Sequence, residues 1–135
     1  MYNLKLFAIE VFILTLLLLI LSFTVIRIRR KEKIAVGVDG SQVLTRAAAA
    51  HSNFINYVPF ALILQWILIS LGLNLWWVSI LAGLLVLGRI FHCISVLNLE
   101  IKQQPTYLFR GVGMIMTFSS ILLSATLLLC IAFYQ

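Results

Sequence analysis

Between Arg46 and Pro59 the chain reads RAAAAHSNFINYVP, and the residues that follow are the apolar FALILQWILISLGL. An arginine, a histidine, two asparagines and a tyrosine thus stand where hydrocarbon begins. A charge at the centre of a bilayer helix costs roughly 2.5–3.5 kcal/mol on insertion scales, so polar groups in or near a span are functional candidates by default. At about 100° per residue, Arg46, Ala49, Asn53, Asn56, Tyr57 and Phe60 fall within one stripe, and His51 points nearly the opposite way. Further along, Arg89, His92 and Val96 share a face, as do Arg110, Gly113, Thr117, Ser120 and Ser124. Arg forks pair with carboxylates, Asn offers both a donor and an acceptor, and Tyr adds a hydroxyl beside an apolar ring. Such a lining suits a small, water-soluble acid, and the apolar span surfaces leave room for a second, lipophilic substrate.

Composition dictates what must position these groups. Of 135 residues, 63% are hydrophobic and only 10% are charged, with a mean hydropathy of +1.12; soluble domains carry about 25% charged residues. This is the composition of an integral membrane protein. A span needs about 20 apolar residues, so the length accommodates four spans and no separate soluble domain. The expected fold is all-α, a membrane four-helix bundle forming one domain over residues 1–135. The spans are expected at about 4–26, 46–73, 75–97 and 107–134. The first ends at RIRRKEK, AVGVDGSQ reads as a turn-rich loop, Gly72 to Asn74 make a tight connection, and Pro105 suits the first turn of the last helix. Because Lys5 precedes a long apolar run with no small-residue cleavage site, this run reads as an uncleaved first span.

Lys and Arg in short loops set the orientation. Loop 27–45 and its flank hold Arg27, Arg29, Arg30, Lys31, Lys33 and Arg46; loop 98–106 holds Lys102, with Arg110 just beyond; the opposite side has only Lys5. Both loops are expected in the cytoplasm and both termini outside. The net charge of +6 then reflects topology and anionic headgroups. A nucleic-acid partner would need a basic groove with stacking aromatics outside the membrane, and there is no room for one. The three polar stripes all start from the loop side, so they should face one another around a wet, positive cavity one to three turns deep, or face a neighbouring subunit.

Plainer roles stand beside these. Arg27 to Lys33 serve as snorkelling anchors, Arg46 and Arg110 as interface markers, His51 and His92 as interface histidines, and Asn53 and Asn56 as hydrogen-bonding glue between helices. Gly111, Gly113 and the later serines read as packing residues. Cys93 and Cys130 lie in apolar runs without metal-ligand spacing and read as small buried hydrophobes; no metal site is expected. Glu10 allows a remote alternative, a small exporter exchanging a proton for a cationic drug. Its plainer role is a polar residue near the outer interface, paired with Lys5.

RAAAAHSNFINYVP resembles the pattern R-x-x-R-A-H-x-N-F-x-E-Y-x-P of the MAPEG superfamily, membrane-associated proteins in eicosanoid and glutathione metabolism, in its small bacterial branch. IRIRRKEKIAVG, GRIFH and RGVGMIMT are supporting matches in the expected order. The resemblance implies a four-helix protomer assembled as a homotrimer in the bacterial inner membrane, with glutathione as co-substrate between protomers near the cytoplasmic side. Its implied activity is that of a glutathione-dependent transferase or peroxidase acting on lipophilic electrophiles. Arg46, Asn53, Asn56 and Tyr57 would hold glutathione, joined by Arg89 and His92 on the third span, while Arg29 or Arg30 and His51 would reach in from the neighbour. Lys102 and Arg110 stand at the places of thiolate-stabilising cations. Two positions depart from the pattern: Ala49 replaces an Arg that would meet a carboxylate, and Asn56 replaces a Glu that would meet the amino group. They leave open a second reading, a non-catalytic structural or lipid-binding trimer.

Overall fold

The computed structural model of the chain describes residues 2–99 and 107–134. It contains α1 (Tyr2–Glu32), α2 (Gln42–Ser70), α3 (Leu75–Ile94), a π-helical segment (Ser95–Leu99) continuing α3, and α4 (Tyr107–Tyr134). Each of the four helices is long and apolar enough to cross a membrane. The least apolar is α2, which opens with the polar cluster.

The helix ends differ from the expected spans, for local reasons. Past Ile26, α1 continues through the basic run, whose Arg, Lys and Glu are good helix formers and whose cations face the negative end of the helix dipole. The start of α2 lies ahead of Arg46, because Ser41 caps it: the Leu44 amide donates to Ser41 Oγ at 3.0 Å. Ser41→Ala should therefore lower stability by about 1 kcal/mol, the usual cost of losing such a cap, readable as a lower thermal unfolding midpoint in detergent. At its far end α2 stops at Ser70, where Gly72 takes φ 83 and the Leu73 amide reaches back to the Leu68 carbonyl at 3.0 Å. That left-handed conformation is open to glycine at little steric cost. Asn74 then caps α3 by accepting from the Trp77 amide at 3.2 Å.

Short connections make neighbouring helices run in opposite directions. Asn3 Nδ2 donates to the Leu73 carbonyl at 2.6 Å, which ties the beginning of α1 to the α2–α3 turn. The 33–41 connection lies at the other end of the bundle, where Arg29 Nη1 holds the Gly37 carbonyl at 2.8 Å. Between them the core is built from Leu14 and Leu21 of α1, Ala50, Phe54, Val58 and Ala61 of α2, and Leu85 and Cys93 of α3. Small residues let the helices approach closely, as dispersion-driven packing in lipid requires. Large apolar side chains such as Phe12, Phe23, Ile63 and Leu122 are exposed on the outward faces, as suits surfaces meeting lipid or another protomer. Cys93 is buried as expected, but Cys130 is exposed, because it lies on the outward face of α4.

Two polar layers cross this apolar interior. In the first, Arg89 of α3 joins Asn53 of α2 and Thr117 of α4. In the second, Gln65 of α2 donates to Ser120 of α4, which donates to the Leu81 carbonyl of α3. The buried face of α4 is thus the one periodicity assigns, with Gly113, Thr117, Ser120 and Ser124 all inward.

Candidate functional site

At the loop end of the bundle, Thr45, Arg46, Ala49, Ala50 and Asn53 of α2, His92 and Val96 from the α3 end, and Arg110 of α4 line a cavity of about 350 Å³. This lies within the 300–1,000 Å³ common for small-molecule sites. Two guanidinium-bearing residues and an imidazole contribute to its walls, and among the described residues no carboxylate does, so the described lining is electropositive. Arg46 is half-buried and Arg110 exposed. Three helices converge on it because each starts or ends its polar stripe at this level.

Arg89 lies behind this lining and is fully buried. Its Nη1 donates to Asn53 Oδ1 at 2.8 Å, Nε to Thr117 Oγ1 at 3.1 Å and Nη2 to Met114 Sδ at 3.4 Å. Asn53 is therefore oriented from behind, with its carbonyl oxygen committed to the arginine and its amide donors left for the cavity side. Arg89 supports the wall; it does not itself line the cavity.

The other residues singled out by the sequence lie elsewhere. Tyr57 stands one turn beyond Asn53 and packs edge-on against Phe118, with centroids 5.1 Å apart. Asn56 is exposed and is not among the lining residues; it sits at the margin of the stripe, where the helix surface turns outward. His51 does point away from the cavity, and within its own protomer Nε2 meets Ser22 Oγ of α1 at 3.1 Å. Arg29 and Arg30 line a separate groove with Ile26, Lys33, Ile34 and Ala35. Lys102 lies outside the described residues. Thr45, Ala50 and Met114 belong to none of the polar stripes that periodicity assigns; Met114 stands one turn beyond Arg110, beside the inward-facing Gly113. Among the described residues no group of three or more His, Cys, Asp or Glu could hold a metal ion.

Glu10 does not pair with Lys5 as expected. It is 2% exposed and turned into the bundle, while Lys5 is exposed and lies 6.0 Å from the centroid of the Tyr2 ring. Eight residues of helix rise, about 12 Å, carry Glu10 well past the start of α1.

Set against known protein families, residues 7–130 match the MAPEG family. The chain belongs to that family. It is similar to the Inner membrane protein YecN of Escherichia coli strain K12, with 35% identity over 77 residues, covering 57% of this MAPEG chain and 59% of that protein. The YecN protein of Escherichia coli O6:H1 matches with the same identity and coverage. The matched part thus spans about three-fifths of the relatives' length. No solved structure matches the chain. With its four apolar helices, this MAPEG chain is a multi-pass membrane protein.

Proposed function

We propose that this protein is a membrane-bound glutathione-dependent transferase or peroxidase acting on lipophilic electrophiles. The observation that carries this reading is the electropositive cavity between α2, α3 and α4, in a chain of the MAPEG family. Glutathione brings two carboxylates, an amino group and a thiol. Arg46 and Arg110 attract the carboxylates, and the Asn53 amide, set by Arg89, donates to the ligand. A free thiol has a pKa near 8.5, and nearby cations lower it, so the same arginines favour the thiolate. In conjugation the thiolate sulfur bonds to an electrophilic carbon, whose leaving group departs with the bonding pair. In peroxide reduction two glutathione molecules are oxidised to the disulfide as the peroxide becomes an alcohol and water.

The apolar partner reaches this chemistry from the membrane side. A groove between α1 and α2, lined by residues including Leu14, Leu18, Phe54, Val58 and Leu62, is one such lipophilic surface. The working unit is a homotrimer in the bacterial inner membrane, a location also named for the YecN relatives. Residues 27–45 and 98–106 face the cytoplasm and both termini lie outside. In the trimer Arg29 or Arg30 and His51 serve the neighbouring protomer's site.

Isothermal titration of the detergent-purified protein with glutathione tests this. Arg46→Leu and Arg110→Leu should each weaken binding by at least about tenfold, since a charge-assisted hydrogen bond contributes roughly 1.5–3 kcal/mol. Absence of binding at millimolar glutathione would sink the proposal. A second reading, a non-catalytic structural or lipid-binding trimer, is favoured by Ala49, which places a methyl in the cavity wall, and by the exposed Asn56. Under that reading the same substitutions change assembly or stability and leave no thiol chemistry to lose.

A further inference from the structure

Three buried side-chain atoms have no hydrogen-bond partner among the described residues: Oε1 and Oε2 of Glu10 and Oε1 of Gln65. All three are acceptors. Gln65, on α2, is the polar neighbour of the Glu10 carboxyl, and both side chains are 2% exposed. Their level is fixed on either side: Phe7 meets Trp66 with ring centroids 5.6 Å apart, and Leu14 shares a groove with Val58 and Leu62.

The other end of the Gln65 amide is occupied. Its Nε2 donates to Ser120 Oγ at 3.4 Å, and Ser120 Oγ donates to the Leu81 carbonyl at 3.0 Å. A polar chain therefore runs from α3 through α4 to α2 and stops one bond short of α1. Where it stops, Glu10 and Gln65 are side-chain neighbours, and none of their three oxygens accepts a hydrogen bond from a described residue. An ionised carboxylate buried without donors or a counter-ion costs several kcal/mol, whereas a protonated carboxyl supplies the missing O–H.

Among the described residues no neighbouring cation offers an alternative. The facing stretches 58–70 of α2 and 75–88 of α3 contain no titratable residue, and on this half of the bundle the other described titratable groups are Tyr2 and Lys5 of α1 and Cys130 of α4. Lys5 and Cys130 are exposed, and the Arg89 guanidinium is engaged in the other polar layer. A bound hard metal cation such as calcium would want six or more oxygen ligands, and three unpartnered oxygens fall short.

We propose that Glu10 and Gln65 form an intramembrane proton-binding site, in which a neutral Glu10 carboxyl donates its proton to Gln65 Oε1 and completes a hydrogen-bonded chain through all four helices. The proton comes from water, and nothing is oxidised or reduced. It fastens α1 between the Asn3 tie to Leu73 at one end and the Ser22 contact with His51 towards the other. This site is separate from the cavity and stands whether or not glutathione binds.

The competing arrangement turns the Gln65 amide over. Nε2 would then serve an ionised carboxylate, and Ser120 would have to abandon the Leu81 carbonyl to serve Oε1. Infrared difference spectroscopy of the full-length protein in lipid vesicles separates the two. At neutral pH the wild type should show the carbonyl stretch of a protonated carboxyl; Glu10→Gln should abolish it, and Gln65→Leu should shift it upward by removing the acceptor. Because glutamine is a neutral isostere that keeps a donor for Gln65 Oε1, Glu10→Gln should unfold at the wild-type temperature, while Glu10→Leu should unfold lower. A carboxylate stretch in place of the acid band in wild type would overturn the proposal. So would failure of Glu10→Gln to fold, or a wild-type stability that rises with added sodium or potassium and loses that dependence in Glu10→Gln.

Discussion

Arg89→Ala should lower the stability of the protein by about 3–5 kcal/mol, measured as unfolding by heat or by increasing SDS in mixed micelles. Two losses add. Truncating a large buried side chain to alanine leaves a cavity, typically costing about 2–5 kcal/mol, and hydrogen bonds from a charged donor contribute roughly 1.5–3 kcal/mol each. Arg89 has bonds to Asn53, Thr117 and Met114 to lose. Opposing them is the cost of keeping a cation away from water, which the substitution relieves. Arg89→Met separates these terms: it fills much of the space, removes the charge, and should cost less than alanine. Arg89→Lys keeps the charge but cannot send donors along three fixed directions, so it should fall below Met. The described partners are all neutral, so the arginine's charge also raises the potential in the adjoining cavity. Arg89→Met should accordingly weaken glutathione binding even though Arg89 does not line the cavity. If Ala, Met and Lys all unfold with wild type, Arg89 is not the tie between α2, α3 and α4.

Four helices are readable from hydropathy because lipid imposes one rule on every outward position, and the buried face of α4 is readable because its small and hydroxylated residues recur each turn. The convergence of Arg46, Asn53, His92 and Arg110 is legible for the same reason: polar groups at one depth have few other places to go. What periodicity cannot supply is the partner. It gives Asn56 the same stripe as Asn53, yet three residues further along the surface has turned outward, and only Asn53 meets Arg89. It does not link Glu10 to Gln65, since Gln65 sits inside an apolar run and the choice between Lys5 nearby in sequence and Gln65 across the bundle depends on how α1 rotates against α2. His51 points away from the stripe as its angle requires, but Ser22 as its neighbour is a fact of packing.

Periodicity puts Gly113 and not Gly111 on the inward stripe of α4, but how closely the helices meet there is again a fact of packing. A Cβ added at Gly113 would stand 2.6 Å from the Gly88 carbonyl oxygen and 2.7 Å from the His92 amide nitrogen, and one added at Gly88 would stand 2.8 Å from the Gly113 carbonyl oxygen. These obstacles are backbone and cannot swing aside. At Gly111 an added Cβ meets nothing within 4 Å. Alanine is favoured over glycine within a helix by about 1 kcal/mol, so Gly111→Ala should be neutral or slightly stabilising. At Gly113 the same gain is opposed by overpacking, usually about 1–3 kcal/mol and more where backbone must move, so Gly113→Ala should destabilise and Gly113→Leu should prevent correct folding. The effect should reach the cavity as well. Thr117, one turn on, accepts from Arg89, and His92 stands directly against Gly113, so forcing α3 from α4 displaces a lining residue and loosens the arginine that orients Asn53. Gly113→Ala should thus lower both the unfolding midpoint and glutathione affinity while Gly111→Ala lowers neither; equal behaviour of the two variants would mean that the α3–α4 contact is not the tight one.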